Sequence, residues 1–221
     1  MTTFKVEGGL KLKGDLHPQG AKNEALQVLC AVLLTKDEVI MENVPNIRDV
    51  NILINLLKDL NVKVCQNDSD PSTYHFQADN VNIDYLRSEE YKAKSGSIRG
   101  SIMMVGPLLA RYGKGYIPKP GGDKIGRRRV DTHFIGFEKL GAKFMYDTKN
   151  ECYEVEGNNL TGTYMLLDEA SVTGTANIVM TAVMAKGKTT IYNAACEPYL
   201  QQLCKMLNSM GAKIQGVGSN L

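Results

Sequence analysis

No CxxC pair occurs in this sequence, and only three histidines are scattered along its 221 residues, so no metal site is expected. An excess of charge of one sign is missing too. Lys and Arg number 26 against 24 Asp and Glu, a net +2 that is too small for bulk attraction to nucleic acid or a membrane surface. No apolar run approaches the roughly 20 residues of a membrane span. The start, MTTFKVEGG, lacks a basic segment followed by an apolar one, so no signal peptide is expected and the compartment reads as the cytoplasm. The five cysteines, Cys30, Cys65, Cys152, Cys196 and Cys204, form an odd set. Cys30 and Cys204 fall inside apolar helical patterns and read as buried free thiols in a reducing compartment. What remains is an ordinary globular balance, long enough for one large domain or two small ones.

What the sequence does hold is a repeat. "LNVKV" at 60–64, "LGAKF" at 140–144 and "MGAKI" at 210–214 each close an amphipathic stretch: "DVNILINLLKDL", "DTHFIGFEKL" and "YLQQLCKMLNSM". Apolar residues recur there at three- and four-residue spacing, the pattern of a helix with one face in the core. Upstream of each stands a helix apolar nearly all round: "NEALQVLCAVLL", "SIRGSIMMVGPLLA" and "TANIVMTAVMA". Between the two kinds lie short strand candidates, "EVIMENV", "GYIPK" and "TTIYNA". The unit is therefore buried helix, strand, amphipathic helix, strand, used three times. Such units hide their apolar faces against one another. The expected fold is α/β, with three buried helices packed together and the strands and amphipathic helices outside. Residues 1 to 14 alternate (Phe4, Val6, then Leu10, Leu12) and read as strands outside the repeats. The chain stops seven residues after Ile214, which suggests a fragment of something longer.

The polar residues gather where the buried helices begin. Lys22 and Asn23 sit at the mouth of the first, although a lysine there opposes the helix dipole. Arg99 lies just inside the second, and the stretch 171–175 (Ser171, Val172, Thr173, Gly174, Thr175) opens the third. Small and hydroxyl residues are ordinary caps. Three helix N-termini brought to one locality, with two cations, would also favour a phosphate or carboxylate. The stretch "GKGYIPKPGGDKIGRRR", 113–129, adds five glycines, six cations and one carboxylate, Asp123. It reads as a mobile loop that grips an anion through arginine donors.

Taken together, "GAKNEAL", "NVPNIRDV", "SIRGSIMMVGPLLAR", "PGGDKIGRRRVDTH", "ASVTGTANIVM" and "GAKI" resemble the UDP-N-acetylglucosamine 1-carboxyvinyltransferases of the enolpyruvyl transferase family, in register from residue 4 to the end. The sister enzyme acting on shikimate 3-phosphate has a different lysine motif and matches less well. The resemblance implies a two-domain protein, each domain a threefold repeat of a βαβαββ-like unit. Residues 1–20 would supply strands to the other domain. Residues 21–221 would form one wall of the catalytic cleft, facing the C-terminal half of the same polypeptide, so this chain alone is expected to be an inactive fragment. It implies transfer of the enolpyruvyl group of phosphoenolpyruvate to UDP-N-acetylglucosamine, a step of peptidoglycan synthesis, without metal or organic cofactor.

By the same resemblance, Lys22, Asn23 and Arg128 match phosphoenolpyruvate contacts, and Lys22 and Asp123 match catalytic positions. Asn23, Arg99, Arg128, Arg129, Val130, Asp131, Thr132, Ser171 and Val172 match the nucleotide-sugar site. Asp123 stands where many members have the cysteine that fosfomycin alkylates, Arg129 where many have proline, and Glu169 where many have lysine. A rival reading, an RNA-binding module built on Lys124 and "GRRR", is disfavoured by the small net charge and by the lack of aromatic residues among the basic ones.

Overall fold

The structure is a computed structural model that describes residues 3–117, 129–148 and 152–221. The first unit runs α1 (Lys22–Ala31) with a 3-10 turn at Val32–Leu34, β1 (Glu38–Met41), α2 (Arg48–Asp59), β2 (Lys63–Gln66) and β3 (Tyr74–Gln77). After a short α3 (Glu89–Ser95), the second unit begins with a 3-10 segment (Arg99–Met104). It continues as α4 (Val105–Tyr112), β4 (Lys114–Ile117), α5 (Asp131–Lys139), β5 (Lys143–Asp147) and β6 (Cys152–Glu156). The third has β7 (Tyr164–Leu166), α6 (Val172–Ala182), β8 (Thr190–Tyr192) and α7 (Pro198–Ser209).

The repeat is visible in the sheets. In the first unit β3 lies between β1 and β2, antiparallel to both, with Phe76 opposite Val39 on one side and Val64 on the other. In the second, β6 lies between β4 and β5, and Val155 faces Gly115 and Phe144 in the same way. Each central strand buries its middle apolar residue completely.

The helices close the three units into a ring. Amphipathic α2 lies on α1 and on the 3-10 segment of the second unit, α5 lies on α6, and α7 spans α6 and α1. Helices α5 and α7 therefore each cover the buried helix of the next unit, whereas α2 lies chiefly on the buried helix of its own unit. Of the three buried helices, α4 packs directly on α6, whereas α1 reaches them through the 3-10 turns at Val32–Leu34 and Arg99–Met104. Arg111 ties the far end of α1: its Nη1 lies 2.8–3.0 Å from the carbonyl oxygens of Leu33, Thr35 and Ala78. The first two oxygens stand at the end of the helical segment, where the chain supplies no N–H. The third follows β3, so one guanidinium joins the helix end to the sheet.

Two glycines decide how closely α6 is approached. A Cβ on Gly106 would come within 2.4 Å of Asn177 Oδ1 and 2.5 Å of the Asn177 carbonyl oxygen. On Gly136 it would come within 2.2 Å of Ile178 Cδ1. Both α4 and α5 thus touch α6 backbone to side chain, with nothing between.

Three expectations need correction. The stretch "SIRGSIMMVGPLLA" is two pieces, 3-10 then α, where one buried helix was expected. Pro107 has no N–H to give and its ring would meet the carbonyl four residues back, so it is placed in the first turn of α4, where that bond is not required. Residues 3–19 form no strand. Phe4, Val6, Leu10 and Leu12 are 79–96% exposed, because alternation makes a strand only where a neighbouring edge accepts its hydrogen bonds. Ala212–Ile214 likewise form no strand. Between them and β8 lies a groove of about 800 Å³, in the position that β3 and β6 fill in the other units.

Candidate functional site

Lys22 is the first residue of α1, and Ala21 before it offers no side-chain cap. Its Nζ lies 2.7 Å from Oδ2 of Asp49, in the first turn of α2. The anion that makes a lysine tolerable at this helix mouth is, in this structure, a carboxylate of the chain itself. The lysine side chain is still 49% exposed, so its ammonium is open to a second anion. Asn23 beside it is exposed.

A second group is built around Arg129, the first described residue after the basic loop. Its Nε donates to Asp131 Oδ2 at 2.7 Å and its Nη2 to Asp168 Oδ2 at 2.8 Å. Its carbonyl oxygen accepts from Arg99 Nη2 at 3.1 Å. Thr132 Oγ1, buried, donates to Asp168 Oδ1 at 3.0 Å and lies 3.4 Å from Glu169 Oε1. Val130, half-buried, precedes α5. Ser171 caps α6, its Oγ accepting the Gly174 N–H at 3.2 Å, and Val172 is the first residue of that helix. Gly174 is fixed by this cap, since a Cβ there would lie 2.9 Å from both Ser171 Oγ and Thr132 Cγ2.

The structure therefore joins Arg99, Arg129, Asp131 and Thr132 in one polar set at the opening turn of α5, beside the capped start of α6. The hydrogen bonds and ion pairs of that set do not reach Lys22 or Asn23 among the described residues. The link between the two groups is packing of α1 on the segment that Arg99 opens. Asp123 and Arg128 lie outside the described residues. The departures at 129 and 169 prove to be neighbours: Arg129 pairs with Asp168, and Thr132 bridges Asp168 and Glu169.

Beneath this surface lies a buried network that the residue patterns alone did not disclose. Asn177, fully buried in α6, accepts the Gly106 N–H at 2.8 Å through Oδ1. Its Nδ2 donates to the Ile102 carbonyl oxygen at 2.8 Å and lies 3.0 Å from His133 Nδ1. His133 Nε2 in turn lies 3.2 Å from Thr173 Oγ1. A signal was present: Asn177 is the one amide in the run "TANIVMTAVMA", and a lone amide in a buried helix must bring partners with it.

Burial, and secondarily the charge of Arg99, lower the pKa of His133 from the usual 6.5 to about 4. In the unfolded chain the ring takes up a proton near pH 6.5, and in the folded one only near pH 4. Between these values the unfolded state holds more protons, so stability should rise with pH from about 4 to 6.5. The contribution is on the order of 3 kcal/mol. Urea unfolding of the protein and of His133→Gln across that window would check it: the two curves should differ in slope below pH 6.5 and run parallel above it.

A family model described as EPSP synthase (3-phosphoshikimate 1-carboxyvinyltransferase) matches residues 6–221. A UDP-N-acetylglucosamine 1-carboxyvinyltransferase of Bacteroides fragilis is 62% identical over 221 residues, all of this chain and 50% of the relative. The protein of the same name from Porphyromonas gingivalis is 61% identical with the same coverage. The chain spans about half the length of the curated relatives it matches. Among solved structures, the enolpyruvyl transferase NikO from Streptomyces tendae superposes with a TM-score of 0.79 at 18% identity, over 96% of this chain and 48% of the other. EPSP synthase from Acinetobacter baumannii gives 0.67 at 14%, over 92% and 45%. At these identities the likeness is one of fold.

Proposed function

The chain belongs to the EPSP synthase family of enolpyruvyl transferases, and on that footing we propose that the full protein transfers the enolpyruvyl group of phosphoenolpyruvate to the 3-hydroxyl of UDP-N-acetylglucosamine. Phosphate is released, and the product enters peptidoglycan synthesis in the cytoplasm. The observation that carries this reading is the 61–62% identity, over the whole chain, to proteins bearing that enzyme's name. The likeness to shikimate-acting structures, at 14%, extends to the fold alone.

In this reading Lys22 and Asn23 contact phosphoenolpyruvate, with Arg128 on its phosphate. Arg99, Arg128, Arg129, Val130, Asp131, Thr132, Ser171 and Val172, with Asn23, form the nucleotide-sugar site. Asp123 protonates the methylene carbon to a methyl group, and the sugar hydroxyl gives up its proton to a base as it attacks the neighbouring carbon. The resulting tetrahedral intermediate loses phosphate together with a proton of that methyl group, which restores the double bond. Cations and the free N–H groups at the starts of α1 and α6 oppose the anionic charge of both substrates. The second wall of the cleft belongs to the C-terminal half of the polypeptide, and residues 1–20 supply strands there. Their unpartnered apolar side chains support this assignment.

Phosphate release by the full protein, assayed with phosphoenolpyruvate and either UDP-N-acetylglucosamine or shikimate 3-phosphate, tests the reading. Turnover with the first acceptor alone is expected, and turnover only with the second would overturn it. The 221-residue chain by itself should release no phosphate.

Lys22→Ala in the full protein should separate binding from folding. The exposed Lys22–Asp49 pair contributes about 0–1 kcal/mol to stability, so the thermal midpoint should hardly move. Loss of a charged contact inside a closed site costs about 2–5 kcal/mol, so kcat/KM for phosphoenolpyruvate should fall at least tenfold. Retained activity with a lowered midpoint would make Lys22 a structural residue.

A further inference from the structure

The buried amide network fixes more than packing, because every proton in it can be assigned. The Gly106 N–H can only donate and the Ile102 carbonyl can only accept. The Asn177 atom facing the first must be Oδ1, and the one facing the second Nδ2. One Nδ2 hydrogen goes to Ile102, and the other points at His133 Nδ1, 3.0 Å away, which must accept it. A neutral imidazole with Nδ1 accepting carries its proton on Nε2. That N–H donates to Thr173 Oγ1 at 3.2 Å. An oxygen that receives this hydrogen has its own to place elsewhere, and no acceptor for it stands among the described residues. Thr173 is the second residue of α6, half-buried, directly after Ser171 and Val172.

We infer that Asn177 and His133 are positioning residues that fix the Thr173 hydroxyl as a hydrogen-bond donor to the diphosphate of the nucleotide sugar. This rests on the reading given above, in which that ligand lies at Ser171 and Val172. The device depends on the ring tautomer. Were the proton on Nδ1, it would collide with the Asn177 Nδ2 hydrogens. Nε2 would then accept the Thr173 hydrogen and remove it from any ligand. Nor could a doubly protonated ring fit, since it would set two donors against each other and a second cation beside Arg99. Asn177 thus selects, from the centre of the molecule, which way a hydroxyl at the surface points.

Two independent readouts test this on the full protein. Long-range 1H–15N correlation of the histidine rings at neutral pH, with the His133 signal assigned by its loss in His133→Gln, should show Nε2 protonated and Nδ1 bare. The opposite tautomer would overturn the inference whatever the enzyme's substrate. Thr173→Val, which keeps shape and removes the hydroxyl, should raise KM for UDP-N-acetylglucosamine about tenfold, the loss of one charge-assisted hydrogen bond. It should leave kcat and KM for phosphoenolpyruvate unchanged and lower the thermal midpoint by a few degrees, because the buried His133 Nε2–H loses its acceptor. Thr173→Ser should restore both KM and midpoint. An unchanged nucleotide-sugar KM in Thr173→Val would overturn the role of the hydroxyl. Failure of the unaltered protein to use UDP-N-acetylglucosamine would instead strike the function assigned above, and the tautomer would still be read directly.

Discussion

Asn177→Ala should lower the free energy of unfolding by about 3–5 kcal/mol, a third or more of the stability of an ordinary domain. The substitution strands the Gly106 N–H and His133 Nδ1 at once, and leaves the Ile102 carbonyl with the Val105 N–H alone, all of them in the interior. Each buried group left without a partner costs about 1–3 kcal/mol, and a cavity is added. Because Gly106 lies against the Asn177 backbone, α4 cannot slide in to fill the space without moving the 3-10 segment before it. For a chain of this length the thermal midpoint should drop by about 6–20 °C. Asn177→Asp gives the sharper comparison. It keeps the shape, yet turns the donor toward Ile102 and His133 into an acceptor, so it should destabilise at least as much. Calorimetry on the three proteins would check this, and a midpoint within 2 °C of the parent in Asn177→Ala would show that water or repacking had satisfied the stranded groups.

The largest effect on turnover is expected from Asp123→Asn in the full protein, with kcat falling by about 10²–10⁴-fold. Under the proposed reaction this side chain delivers a proton to the methylene carbon, and an amide of the same size cannot. Six cations surround Asp123 in the loop sequence. The phosphate and carboxylate of phosphoenolpyruvate are the charges that would offset them, so the proton belongs to the liganded state. A carboxylate is also a far weaker nucleophile than a thiolate. The unaltered protein should therefore resist fosfomycin, and Asp123→Cys should become sensitive to it. Single-turnover phosphate release and time-dependent inactivation assays would read both effects. A fully active Asp123→Asn would dismiss the acid role.

The parts of this fold that could be read from residue order are those governed by local spacing. Amphipathic α2, α5 and α7 follow from apolar recurrence, and the three positions of α1, α4 and α6 follow from helices with no polar face. The break before α4 was written in Pro107, but seeing it required weighing one proline against fourteen residues of helical pattern. What spacing could not supply was any feature that depends on a distant neighbour. Leu10 and Leu12 alternate as well as Val39 and Met41 do, yet only the latter found a strand to pair with. The partner of Lys22 is 27 positions away in another helix, and nothing near Lys22 announces Asp49. In the site, Arg99, Ser171 and the residues after the basic loop were legible because they open elements and carry charge or caps. His133 and Asn177 were not, because a polar group in the interior declares itself through its partners, and these come from three different helices.

The glycine contacts at 106 and 136 bear on how such a site can operate. Helix α6 works as a common axle: α4 presses on it through one missing side chain and α5 through another, and the Asn177 amide pins both. The opening turns of α5 and α6 and the Arg99 segment are accordingly held together as one casting. On the proposed function, opening and shutting around a ligand would then be articulated outside this set of helices. In that reading these helices would be the anvil of the device, with the stroke left to the parts that meet them.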